Sequence, residues 1–383
     1  MQAGPCHRRI PAMRSLLAAL CAALCAAAAH ADSCDFSAAV LRTQALMQDA
    51  GVADAGLAIG TPRGLLLKQY LHAGGGTSAY DDTTRVALAS ASKLLSGVRI
   101  LQLADRGLLD LDTPLSAYLP QFGGLKGTMT MRQMFSHTAG YGDDEDSAIL
   151  GLPITLAQAV DWIAQHMDLT FPPPGAYFAY GGISMQIGGQ VAAVRSGQDW
   201  QAGWSADLGV PLGATGIDWQ GLGPTQNYRI AGGARASLPD YALVLAMLLG
   251  DGVGNGQRLL SPQALAIFRT DQTGAAVLGY SPPGADGRHA YGIGAWIEPF
   301  PPPPAQAAVS SIGKFGYAPW VDFDAGFFGI VMIEQRASMY PTMGQLAHAA
   351  IVDIDASVRA ALRDDCALQE TYDAIFRDGV DGH

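Results

Sequence analysis

Lysine and glutamate are nearly absent from this chain of 383 residues. Its only glutamates are Glu145, Glu298, Glu334 and Glu370, and its only lysines are Lys68, Lys93, Lys126 and Lys314, so Asp and Arg carry the remaining charge. Where arginine does the surface work, each lysine is a candidate for chemistry, because only lysine can lose its proton within reach of neutral pH. Basic charge is scarce as well. A formal net charge of −11 excludes nucleic acid as the main partner, since phosphate contacts need a basic footprint. It also argues against a surface held to anionic lipid. Charged residues make up 15% and hydrophobic ones 49%, a balance that excludes disorder and supplies a core. The common chemical signatures are missing too: there is no G-x-S-x-G, no G-x-x-x-x-G-K-[ST] and no H-E-x-x-H. Histidines are scattered without an i, i+4 pair on a helix, so neither a metal nor a cofactor is expected.

Only one long apolar run is present. Arg8, Arg9 and Arg14 precede Leu16 to Ala29, and Ala29-His30-Ala31 follows as an A-x-A cleavage site. That pattern reads as a secretory signal over residues 1–31, too short to cross a bilayer. The expected location is therefore periplasmic or secreted, with no stable membrane span after cleavage. Cys6, Cys21 and Cys25 leave with the signal, so Cys34 and Cys366 are the cysteines of the mature chain. In an oxidising compartment, two cysteines in a chain of this size suggest one disulfide; two free thiols are the alternative.

Along the mature chain, Phe36 to Met47 patterns as an amphipathic helix. Gly56 to Ile59 and Leu65 to Tyr70 read as a hairpin across a turn at Thr61 to Gly64. Ala91 to Ala104 is a strongly apolar helix. Helical and loop signals fill about Asp110 to Gln226, and Leu238 to Leu249 is a further helix. Strand patterns follow at Tyr291 to Ile297, Ala307 to Gly313 and Phe327 to Glu334, with Pro301 to Pro304 as a stiff loop between them. Met343 to Leu362 closes the chain as a helix. This order predicts an α+β fold, with the α+β part built from about 32–110 and 235–383 and a mainly helical part inserted over about 111–234.

Ser90-Ala91-Ser92-Lys93 is an S-x-x-K at the start of the apolar helix. Residues three apart share a helix face, so Ser90 and Lys93 can touch. A lysine so placed takes the hydroxyl proton if burial lowers its pKa, and the Ser90 N–H can hold an oxyanion. An ordinary helix N-cap is the bland alternative for Ser90. A second S-x-x-K, Ser311-Ile312-Gly313-Lys314, lies in a strand-like stretch with glycine.

The segments Arg85 to Lys93, Ile100 to Ala104, Gly107 to Pro114, Tyr118 to Pro120, Met129 to Gly140 and Gly256 to Pro262 together resemble the class C β-lactamase-related serine hydrolases. That superfamily includes β-lactamases, D-alanyl-D-alanine carboxypeptidases and β-lactamase-like esterases. The resemblance implies an antiparallel sheet flanked by helices beside the helical part, with the site in the cleft. It makes Ser90 the nucleophile and gives Lys93 and Tyr180 the proton transfers. In the family's Y-x-N motif, Tyr180 matches the tyrosine, but Gly182 stands where asparagine is usual. The third motif, K-T-G or H-x-G, has two competing registers here: Ser311 to Gly313, or Lys314 to Gly316. Strand side chains alternate, so 311 and 314 cannot both face the site without a bulge. The first register fits the flanking residues better, with the Lys314 N–H as second oxyanion donor and no cation at Ser311. His137, in His-Thr-Ala-Gly, matches a turn that is structural in the family. The resembled fold also brings the first and last helices together, which places Cys34 near Cys366.

A small-molecule ester is the expected substrate. A D-amino-acid amide, a peptidoglycan stem peptide and a β-lactam are the alternatives. The altered motifs also fit a different class, a peptidoglycan- or ligand-binding module with little turnover.

Overall fold

Two stretches far apart in sequence build one six-stranded antiparallel sheet in this computed structural model, which describes residues 1–2, 34–285, 287–300 and 308–363. The expected signal segment, the Pro301–Pro304 loop and Cys366 lie outside the described residues. The chain enters through helix α1 (Ser37–Ala50), which ends on Gly51 at φ 62°, a left-handed cap that suits glycine. Strands β1 (Asp54–Thr61) and β2 (Gly64–His72) form the predicted hairpin. The C-terminal part adds β3 (Trp296–Glu298), β4 (Ala308–Ser310), β5 (Ala318–Asp322) and β6 (Phe327–Met332). Spatial order is β2-β1-β6-β5-β4-β3, so the first hairpin joins the late strands through β1 and β6, with Ala58 opposite Ile330.

Helices cover both faces of the sheet. On one face lie α1 and α6 (Met343–Arg363), and Trp320, Val331, Ile351 and Ile354 share their core. A buried cluster pins α6 to β5: Arg359 pairs with Asp322 and, at 3.0 Å, with Asp355, while the Trp320 indole donates to Asp355 at 3.2 Å. On the other face lie α2 (Ser92–Asp105) and α5 (Leu238–Leu249). Their core runs without a break into the mainly helical stretch, which holds α3 (Leu156–His166) and α4 (Ile183–Ser196). Covered on both faces, β5 and β6 are buried along their whole length.

Two sequence expectations change. The strand expected over Tyr291 to Ile297 shrinks to Trp296–Glu298, because Gly292 lies against the Phe268 carbonyl and Gly294 bends the chain against α2. Gly294 has φ +85°, and a Cβ there would lie 2.3 Å from the Lys93 carbonyl oxygen. Strand β5 was not expected at all. Its Pro319 has no N–H for a ladder, a feature that argues against a central strand, yet it sits opposite Ile330.

Candidate active site

Ser90 stands where a 3-10 turn (Ala89–Ala91) runs into α2. Ala89 adopts φ 45°, a left-handed conformation that costs a non-glycine residue roughly 1–3 kcal/mol. Neighbouring bonds hold it there. Ser92 Oγ donates to the Ala89 carbonyl at 2.7 Å and accepts from Ala234 N at 3.0 Å, while Leu88 N donates to Ala234 O at 2.9 Å. Ser92 is thus the structural serine of the pair. Ser90 makes no side-chain cap, so the N-cap alternative does not describe it.

Lys93 is fully buried and makes three directed contacts. Its Nζ lies 3.1 Å from Ser90 Oγ, 2.8 Å from Glu145 Oε1 and 3.0 Å from the Ala231 carbonyl. Three acceptors for one amine describe an ammonium. Burial opposes that charge, but the Glu145 carboxylate outweighs it, helped by Tyr180, and holds Lys93 above the ordinary lysine range. The lowered pKa that a lysine base needs at rest is therefore not present, and the reason is Glu145, a residue the motif reading passed over.

Tyr180 is fixed from all sides. Its backbone N–H donates to Tyr280 O at 3.0 Å and its carbonyl accepts from Asp143 N at 2.9 Å. The first bond continues the parallel pairing of Tyr177–Ala179 with Val277–Tyr280, and the second comes from the loop at Asp143. Trp296 stacks on the Tyr180 ring at 5.5 Å, His137 flanks it at 4.4 Å, and Lys93 Nζ lies 4.5 Å from its centroid. The phenol interacts with both Ser90 and Lys93; burial raises its pKa, and Lys93 offsets this only in part. His137 accepts at Nδ1 from Gly181 N at 3.3 Å. Burial, and then the Lys93 charge, push its imidazole well below the ordinary value, so it is neutral. Its contact with the site is through the Tyr180 ring.

Third-motif residues divide by direction. Ser311 is buried and its Oγ donates to the Ser90 carbonyl at 2.9 Å. Gly313 lies so close to the Ser90 turn that a Cβ would meet the Leu88 carbonyl oxygen at 2.1 Å, and its own N–H is bonded to Tyr317 O at 2.8 Å. Gly313 therefore serves by its lack of a side chain, not as an oxyanion donor. The Lys314 side chain points outward, 57% exposed, to Asp146 at 3.3 Å.

The acidic loop 143–146 is the part that sequence reasoning missed. Asp144 Oδ1 accepts from Gly182 N at 2.6 Å and Ile183 N at 3.2 Å, at the start of α4. Burial lifts this carboxyl to about 6 against the pull of those two donors. Glycines make the approach possible: a Cβ at Gly142 would lie 2.4 Å from the Ala179 Cβ, and one at Gly181 would lie 2.3 Å from Asp144 Oδ1. The available signal was the scarcity of glutamate itself, which marks Glu145 as scarcity of lysine marks Lys93.

Ser90 opens onto a cleft of about 270 Å³, lined among others by Tyr180, Trp296, Arg288, Glu145 and Lys314. A much smaller recess of about 30 Å³ lies on the Gly182 side, and Ser90, Glu145 and Lys314 border both. Among the described residues there is no cluster of His, Cys, Asp and Glu able to hold a metal, and no helix long and apolar enough to cross a membrane.

Residues 42–351 match the family model described as Beta-lactamase. The chain is 27% identical to penicillin-binding protein 4 of Amycolatopsis lactamdurans over 157 residues, 39% of each chain. It is 31% identical to esterase/beta-lactamase LipL of Mycobacterium tuberculosis over 134 residues, 33% of this chain and 29% of that protein. These matches span less than half the length of either relative. A solved structure described as a β-lactamase from Bacteroides dorei DSM 17855 superposes with a TM-score of 0.73 at 25% identity, covering 86% of this chain and 99% of that one.

Proposed function

The chain belongs to the β-lactamase family of serine hydrolases, and from that premise we propose that it is an exported esterase that forms an acyl-enzyme on Ser90. The contact of Ser90 Oγ with Lys93 Nζ at 3.1 Å carries the acyl-enzyme reading. The preference for a small ester is supported by the two motif positions that lack a substrate-binding group. Gly182 offers no side-chain amide and Ser311 no cation, whereas an ester carbonyl needs only the nucleophile and the oxyanion donors.

In the proposed reaction the Ser90 oxygen bonds to the ester carbonyl carbon. The carbonyl electron pair moves onto oxygen, facing the N–H groups of Ser90 and Lys314. Lys93 and Tyr180 are both protonated at rest, so Lys93 hands a proton to Glu145, 2.8 Å away, as it takes that of Ser90. The alkoxide then leaves with a proton returned through Lys93 and Tyr180, and water repeats the sequence to release the acid.

Ser90→Ala is expected to abolish hydrolysis of short-chain p-nitrophenyl esters and labelling by a fluorophosphonate, with the melting point unchanged. Full-length protein that turns over nitrocefin or a D-Ala-D-Ala peptide faster than the esters overturns the ester preference. A wild-type protein that resists the fluorophosphonate turns the reading toward a binding module.

Export belongs to the same proposal. Cys34 and Cys366 are the two cysteines of the mature chain, which supports a disulfide between them in an oxidising compartment. The exported protein is expected to begin at Asp32 by N-terminal sequencing and to yield a linked Cys34–Cys366 peptide without reduction. A retained signal sequence, or two free thiols, refutes it.

A further inference from the structure

Glu145 occupies a particular place relative to Gly182. A Cβ built on Gly182 would lie 3.8 Å from Glu145 Oε1 and 3.2 Å from Leu150 Cδ1. A longer side chain at 182 and the Glu145 carboxylate thus compete for one space beside Lys93. The backbone does not demand glycine here, since Gly182 has φ −104° and ψ −27°, ordinary for any residue. In this chain the second motif lacks its asparagine, and a carboxylate from another loop fills the gap. Glu145 also borders both the large cleft and the small recess, so a substrate group on either side of Ser90 comes near it. Of the cations that line these spaces, Lys314 turns to Asp146, Arg288 is bound to Glu298 at 2.6 Å, and Arg229, beside the small recess, donates to the Leu150 carbonyl at 3.2 Å.

We propose that Glu145 selects substrate charge at Ser90: standing where the resembled enzymes carry an asparagine amide, its carboxylate turns away acyl compounds that bear a carboxylate beside the scissile carbonyl and leaves the site to neutral and amine-bearing ones. The inference rests on the Ser90 acyl-enzyme reading above. It deepens that reading, because β-lactams and D-alanyl peptides carry such a carboxylate and simple esters do not. The Glu145 carboxylate is 31% exposed to the cleft, and although Lys93 offsets part of its charge at 2.8 Å, a second carboxylate a few ångströms away is repelled enough to alter relative affinity roughly tenfold.

The test compares phenylboronic acid with 3-carboxyphenylboronic acid, which bond to a reactive serine without turnover. Affinities are measured by calorimetry on the full mature chain, as wild type, Glu145→Gln and Glu145→Asp. Wild type is expected to favour the neutral boronate about tenfold or more. Glu145→Gln should shrink that ratio roughly tenfold, and Glu145→Asp, which keeps the charge, should retain most of it. An unchanged ratio in Glu145→Gln overturns the proposal, as does Glu145→Asp behaving like Glu145→Gln. Discrimination without ester turnover would sink the ester reading and leave the charge selection standing. If wild type binds neither boronate, Ser90 is not a reactive nucleophile and both fall.

Discussion

Ser90 and Ser311 each precede a lysine by three residues, yet the two tetrapeptides do unlike things. At Ser90 the chain turns helically, so the third residue comes back to the same face and Lys93 Nζ lies 3.1 Å from Ser90 Oγ. Beyond β4 the chain is not helical, and the same spacing sends Ser311 inward and Lys314 outward. The inward serine donates to the carbonyl of the other motif's serine at 2.9 Å. One S-x-x-K brings its serine and lysine into contact, the pair proposed to react, and the other is a brace with an outward lysine attached. The chemistry belongs to the backbone period beneath the residues and not to their spacing along the chain.

The sharpest way to break this comparison is to remove each lysine in turn. Lys93→Ala should lower kcat/KM for a short-chain p-nitrophenyl ester by roughly 10³-fold, the scale of a lost proton-transfer group. Lys314→Ala should stay within about twofold. Its exposed pair with Asp146 is worth little, and alanine keeps the backbone N–H assigned to the oxyanion. Steady-state kinetics on both variants, with thermal midpoints as a folding control, decide it. Equal losses would mean that the outward lysine reaches the substrate and that the two motifs are not different in kind.

Much of the frame was legible because it rests on strong local periods. The helix expected over Leu238 to Leu249 has those bounds, since Ser237 caps it and Gly250 ends it. The hairpin of β1 and β2 follows from two apolar runs on either side of a Pro-Arg-Gly turn. Strand β5 was hidden by Pro319, whose cost in a central strand is met by neighbours that local sequence does not show. The site was legible in its motif residues and illegible in Glu145. A segment 52 residues beyond Lys93 brings that carboxylate to its Nζ, through Asp144 holding the start of α4 and through glycines at 142 and 181 that admit the loop. No period or motif encodes that approach. It arises from packing between elements, the level at which the charge state of the lysine is also set.

A far smaller effect than that of Lys93→Ala is expected of Ser311→Ala. The hydroxyl makes one hydrogen bond to the Ser90 carbonyl, in a buried position, and losing such a bond costs about 1 kcal/mol of stability. The turn at Ser90 is held independently by Ser92 and Ala234, so the nucleophile should move little. Turnover of a neutral ester should fall no more than about fivefold, mostly in kcat, because the lost brace orients Ser90 and touches no substrate carboxylate. The thermal midpoint should drop by a few degrees. Kinetics on the neutral ester and a melting curve test both halves. A loss beyond about a hundredfold, on the scale of a removed oxyanion donor, would make Ser311 part of the chemistry and dissolve the distinction between the two motifs. An unchanged midpoint with unchanged rate would mean that the bond to the Ser90 carbonyl braces nothing.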